Sequence, residues 1–159
     1  MAYVFTEAEN LAWLQTLPAK HASASVAFVR DGMALMVKPN YKDRWTFPGG
    51  IIEENESPIA AAAREASEEI GFTPGIENLV FVTIAYGTPK RSFPDHLKFV
   101  FRSRIVPDDA QIVLQDSEIE DYAWVPLEEI AEISRSFGVY REIGNILAHP
   151  ENSRGYIET

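Results

Sequence analysis

The sequence of 159 residues contains no cysteine, which excludes disulfides and thiolate metal sites and leaves carboxylates, three histidines and backbone carbonyls as metal donors. Any bound metal is therefore expected to be hard and held by oxygen. Long apolar runs are also missing: stretches such as Leu79 to Ala85 fall far short of the roughly 20 residues of a membrane span, so no membrane partner is expected. Met1 to Asn10 carries Glu7 and Glu9 where a secretory signal would place basic and then apolar residues, and a cytoplasmic location is the expectation. Positive charge is scarce as well, with 14 Lys and Arg against 24 Asp and Glu and a formal net charge of −10. Non-specific nucleic-acid binding draws its affinity from Lys and Arg on phosphates, so no nucleic-acid partner is expected. A small phosphorylated molecule remains compatible with an acidic chain when a divalent cation bridges the two.

What is present fits one domain over residues 1–159, with 46% hydrophobic residues and no internal repeat, low-complexity tract or linker. Thr6 to Leu17 has helical spacing of Ala8, Leu11, Ala12 and Leu14 and stops at Pro18. Ala22 to Arg30 and Met33 to Lys38 flank Asp31-Gly32, a strong hairpin signal, and are expected as antiparallel strands. Trp45 to Phe47 reads as a brief strand that Pro48-Gly49-Gly50 interrupts. A helix begins at Ser57, a good N-cap followed by Pro58, and ends at Gly71. Leu79 to Tyr86 and Leu97 to Val106 are expected strands joined through Lys90, Arg91 and Asp95. Pro107 to Ser117 reads as an acidic loop, Tyr122 to Val125 as a last strand, and Leu127 to Ser134 and Tyr140 to Ala148 as helices.

The chemistry concentrates on the helix from Ser57. Ile59, Ala63, Ala66 and Ile70 form its apolar stripe, with Arg64, Glu65, Glu68 and Glu69 largely off it. Glu65, Glu68 and Glu69 fall within about 100° of arc, where like charges repel unless a hard cation offsets them. An acidic helix face is ordinarily just solvated. The surrounding pattern changes that reading: Gly50, five residues, Glu56, seven residues, then Arg64-Glu65-Ala66-Ser67-Glu68-Glu69-Ile70-Gly71-Phe72.

Residues 50–72 resemble the Nudix hydrolase signature, Gly-x5-Glu-x7-Arg-Glu-U-x-Glu-Glu-x-Gly-U with U a bulky apolar residue, at all seven fixed identities. A chance match at a given start is on the order of 10⁻⁸ from ordinary residue frequencies. Ala66 is smaller than the usual aliphatic residue, Phe72 is aromatic, and Asn55 stands where the family often has Gly. Trp45 to Gly50 looks like the family's lead-in, and Trp124 to Ile130 like its late strand-to-helix segment. The resemblance implies an α/β fold, a Nudix-type α/β/α sandwich with a mixed β-sheet. It implies a MutT-like pyrophosphohydrolase in which water attacks phosphorus of a nucleoside diphosphate linked to X. Nucleoside triphosphates, nucleotide sugars or ADP-ribose, and dinucleoside polyphosphates all fit. The alternative is a non-catalytic nucleotide-binding sensor on the same fold. A homodimer is also implied by the resemblance alone.

Carried over by position, the resemblance makes Glu65, Glu68 and Glu69 metal ligands together with the Gly49 carbonyl, for Mg²⁺ or Mn²⁺. Arg64 and Glu56 would support them as an Arg–carboxylate fork. The general base would be a helix glutamate or a downstream one, with Glu118 preferred over Glu120. For the substrate, Trp45, Phe47 or Tyr86 could stack on a base, and Lys38, Arg44, Lys90 or Arg91 could meet phosphates, although Phe47 also suits a core. His21, His96 and His149 show no ligand spacing.

Overall fold

The computed structural model describes residues 5–89, 94–135 and 137–158. Its strands are β1 (His21–Ala27), β2 (Val29–Arg30), β3 (Met33–Pro39), β4 (Gly49–Ile51), β5 (Leu79–Gly87), β6 (His96–Ser103), β7 (Ile119–Pro126) and β8 (Tyr156–Glu158). The helices are α1 (Glu7–Leu14), α2 (Pro58–Ile70), α3 (Ile130–Ile133) and α4 (Phe137–Ala148).

Five strands in the order β4-β1-β6-β5-β8 form a mixed sheet, in which β1 runs parallel to β6 and antiparallel to β4. Strands β2, β3 and β7 form a smaller antiparallel sheet. Helix α2 packs with Ala24, Val26 and Phe101 into one buried cluster, while Ile143, Ile146 and Leu147 of α4 join Val100, Ala85 and Ile130 in another. Helices thus cover the sheet from both sides, an α/β/α sandwich. Strand β3 feeds both clusters, Leu35 and Val37 into the first and Ala34 and Met36 into the second. Its near-continuous apolar run follows from burial on both faces.

The hairpin closes at Asp31-Gly32 with φ of 50° and 75°, the left-handed pair of a tight two-residue turn. The strand expected over Ala22 to Arg30, however, breaks at Phe28: β1 pairs with β4 and β6, and only Val29–Arg30 pairs with β3. Phe28 is fully buried against Phe72 with ring centroids 5.7 Å apart, and its carbonyl accepts from the Leu35 N–H, so one chain segment serves two sheets. A second correction concerns residues 45–51. Trp45 to Phe47 makes only a bridge between Thr46 and Val37, and it is Gly49–Ile51 that forms the strand. Strand β8, beside β5, was not expected at all. Helix α1 has the Thr6–Glu9 capping box but buries none of its residues.

Candidate active site

Helix α2 is fixed at both ends. Ser57 accepts a hydrogen bond from the Ala60 N–H at 3.3 Å, and Gly71 closes the helix in the left-handed conformation at φ 67°. Its buried face is broader than the expected stripe: Ala61, Ala62, Ala63, Ala66 and Ile70 are buried, and so is Glu69. Placing Glu69 off the stripe was thus a misreading. Its side chain turns toward the sheet edge, where the Gly49 N–H donates to Oε2 at 2.8 Å. Glu69 is only 4% exposed, and burial pushes its carboxyl up to about 8 against the opposing pull of that N–H. Glu65 is raised as well, by burial first, with the nearby Arg64 pulling it down.

Arg64 organises the exposed side of the helix. Its Nε and Nη2 meet the two oxygens of Glu56 at 2.9 and 3.0 Å, a bidentate fork. Its Nη1 donates to Glu65 at 3.0 Å and Glu68 at 2.9 Å, and Nη2 also reaches the Ile51 carbonyl at 3.2 Å. Glu56 further accepts from the Glu53 N–H at 3.1 Å across a turn that holds Asn55 at φ 62°. The loop before the helix is thereby tied to the middle of the helix. Glu65, Glu68 and Glu69 each use one carboxylate oxygen in these bonds. Among the described residues no three such side chains are gathered into a closed ligand cluster.

Glycines allow the strand and helix to approach. A Cβ on Gly49 would collide with the Ala24 carbonyl and with Ser25, and one on Gly50 would enter the Glu65 carboxylate. Because the Gly49 clash is with backbone, Gly49→Ala is expected to destabilise the protein by about 3 kcal/mol or more, measured by urea denaturation.

The downstream loop brings a further carboxylate. The Val113 and Gln115 N–H groups donate to the Ile70 and Glu69 carbonyls at 3.0 and 3.1 Å, and the Asn40 N–H donates to the Glu118 carbonyl at 2.9 Å. Glu118 is exposed, and its charge raises the carboxyls of both Glu65 and Glu69. The Tyr41 hydroxyl is raised by burial and then by the charges of Glu69, Glu118 and Glu65. Glu120 instead ion-pairs with Lys38 at 3.2 Å, which occupies both residues.

The substrate-contact residues separate. Phe47 is 0% exposed and packs on Tyr140 with centroids 5.3 Å apart, so it belongs to the core and has no face for a ligand. Trp45 is half-buried against the same cluster. The Tyr86 hydroxyl donates to Asp95 at 3.4 Å, and Arg44 is exposed on the loop before Thr46. Lys90 and Arg91 lie outside the described residues. His21 and His149 are exposed, and His96 starts β6 against Gly87. Lys42, Lys98, Thr46 and Tyr140 were not singled out from sequence. The Lys98 Nζ lies 3.1 Å from the Tyr140 hydroxyl and 3.4 Å from Thr46 Oγ1, and those two hydroxyls are 2.7 Å apart. A cavity of about 510 Å³ bordered by Val82, Arg102, Ile146 and Leu147 contains none of the α2 carboxylates.

The same architecture recurs in known proteins. The NUDIX domain model matches residues 19–143. An RNA pyrophosphohydrolase of Cellvibrio japonicus is 32% identical over 134 residues, spanning 70% of this chain and 78% of that protein. An RNA pyrophosphohydrolase of Hydrogenovibrio crunogenus is 28% identical over 125 residues, spanning 67% of this chain and 76% of that one. Among solved structures, the NUDIX domain of Shewanella oneidensis NrtR complexed with ADP ribose superposes with a TM-score of 0.68 at 17% identity, over 90% of this chain and 99% of that one. With the match extending from before β1 into α4 and the signature helix inside it, the chain belongs to the Nudix hydrolase family.

Proposed function

We propose that this chain hydrolyses a phosphoanhydride bond of a nucleoside diphosphate linked to X, with Glu65, Glu68 and Glu69 holding Mg²⁺ or Mn²⁺ together with the Gly49 carbonyl. The observation that carries this reading is the placing of the Glu69 carboxylate, almost fully buried, on the Gly49 N–H beside Glu65, where burial first and then neighbouring carboxylate charges raise both carboxyls. An all-oxygen, acidic donor set suits a hard divalent cation, and its charge would offset that repulsion. When bound, such an ion screens phosphate oxygens and lowers the pKa of a coordinated water.

The chain's own groups supply the remaining functions. Glu56 and Arg64 fix the loop to the helix, so that Gly49 and the glutamates keep one geometry. Glu118, exposed on its loop, takes the proton from the attacking water, which forms a bond to phosphorus as the bridging oxygen leaves with the electron pair. Glu118→Gln is expected to lower kcat by roughly 10²-fold with little change in KM. A loss below about threefold would assign the base to a helix glutamate instead.

The function is tested by phosphate or pyrophosphate release from nucleoside triphosphates, ADP-ribose, nucleotide sugars and dinucleoside polyphosphates, with Mg²⁺ or Mn²⁺. The names of the two relatives, RNA pyrophosphohydrolases, add RNA to the panel. The net charge of −10 favours small substrates over a long polyanion. Turnover confined to metal-containing reactions supports the hydrolase. Silence across the panel with ligand binding retained supports the sensor.

A further inference from the structure

Strand β6 alternates between the two faces of its sheet, and Lys98 shares with Val100 the face that packs toward α4. A lysine on that face has to find partners, and those its Nζ touches are the hydroxyls of Tyr140 and Thr46 and the Tyr140 ring, 5.3 Å away, while its charge also acts on the Glu69 carboxyl. Among the described residues no carboxylate ion-pairs with Lys98, Lys42 or Arg44, whereas Lys20, Lys38, Arg30, Arg64 and Arg135 each sit on one. These three cations are neighbours. Thr46 follows Arg44 by two residues on the loop that carries Lys42 over the Tyr41 ring, and Lys98 bonds to Thr46. The positive charges of Arg44 and Lys98 also act on Lys42. Three residues beyond Thr46, the Gly49 N–H holds Glu69. A buried carboxylate without an ion pair therefore lies at one end of a short segment and cations without ion pairs at the other.

We infer that Lys98, braced by Tyr140 and Thr46 and flanked by Lys42 and Arg44, binds phosphates beyond the bond that is cut, which makes the preferred substrate a chain of three or more phosphates. This rests on the hydrolase reading above and deepens it. The two phosphates of ADP-ribose both flank the scissile bond, so they leave no charge for this second group. A nucleoside triphosphate or a dinucleoside polyphosphate has at least one further phosphate to place there. The hydroxyls hold the ammonium in position without an ion pair, so it can still bind an anionic ligand.

The test compares kcat/KM for ATP and diadenosine tetraphosphate with kcat/KM for ADP-ribose, in wild type, Lys98→Met and Lys98→Arg. Wild type is expected to prefer the polyphosphates. Lys98→Met is expected to lower the polyphosphate-to-ADP-ribose ratio by roughly 10-fold or more, the loss typical of one charge-assisted contact, and Lys98→Arg to restore most of it. A ratio unchanged within about twofold in Lys98→Met, or a wild type that prefers ADP-ribose, overturns the inference. Binding of inorganic tripolyphosphate by calorimetry, with wild type and Lys98→Met, reads the subsite independently of turnover. Binding that weakens at least about 10-fold in the variant upholds the subsite even when no substrate is cut, and wild type that fails to bind tripolyphosphate refutes it.

Discussion

Replacing Glu69 with glutamine is expected to lower metal-dependent hydrolysis by roughly 10³-fold while leaving the fold intact, the scale on which removal of one charge-stabilising group acts at a reacting phosphate. The two effects separate because the hydrogen bond of Glu69 and its charge are distinct. Its Oε2 accepts from the Gly49 N–H at 2.8 Å, and a glutamine carbonyl can accept the same bond. What the substitution removes is the ability to carry a negative charge, which a side chain only 4% exposed takes on at a desolvation cost. The metal-free variant should therefore melt at the same temperature as wild type or above it. Calorimetric melting beside initial rates checks both halves; a variant that loses activity because it unfolds would remove Glu69 from the reacting centre.

Arg64→Ala should have the next largest effect, and here stability and activity should fall together. One guanidinium holds Glu56 in a fork, Glu65, Glu68 and the Ile51 carbonyl. Its loss leaves Glu56 and Glu65 side chains, 15% and 13% exposed, without their cation. A cost of about 2 kcal/mol follows, reduced from that of a fully buried pair because solvent reaches the Arg64 edge. Activity should drop roughly 10- to 100-fold through misplaced glutamates. Arg64→Lys keeps the charge but not the fork, so it should recover more stability than activity. Arg64 holds the Glu56 carboxyl below its ordinary value of 4.5. The pair's stabilisation is thus present above that value and lost as pH falls through the depressed one. The stability gap between wild type and Arg64→Ala should accordingly close in acid, as urea titrations from neutral pH downward would show.

The parts of the site legible in the sequence are those set by local spacing. Ser57, Gly71 and the carboxylates between them are fixed by helix geometry, and Glu56 reaches Arg64 over only a turn and two helical turns. The helix ends could therefore be read from one segment, while the fork and the sandwich were implied by the resemblance of that segment to the family signature. Phe28 illustrates what was hidden: an uninterrupted apolar run gives no mark where one strand ends and another sheet begins, because both halves are buried. Glu69 was misplaced for a related reason. Helical periodicity ranks residues by hydrophobicity, while a buried carboxylate is decided by a backbone N–H from a strand 20 residues away. Lys98 meets Tyr140 across 42 residues, and in the sequence it stands on the more polar side of its strand with His96 and Arg102, where nothing marks it out from a solvated lysine.

The most direct test of the account is Mn²⁺ binding to the protein without substrate, followed by electron paramagnetic resonance of the free ion in wild type, Glu65→Gln and Glu69→Gln. Wild type should bind Mn²⁺, and each variant should bind it at least about 10-fold more weakly. Equal affinity in all three proteins, or hydrolysis that persists in excess chelator, would contradict the assignment of these glutamates as the metal site.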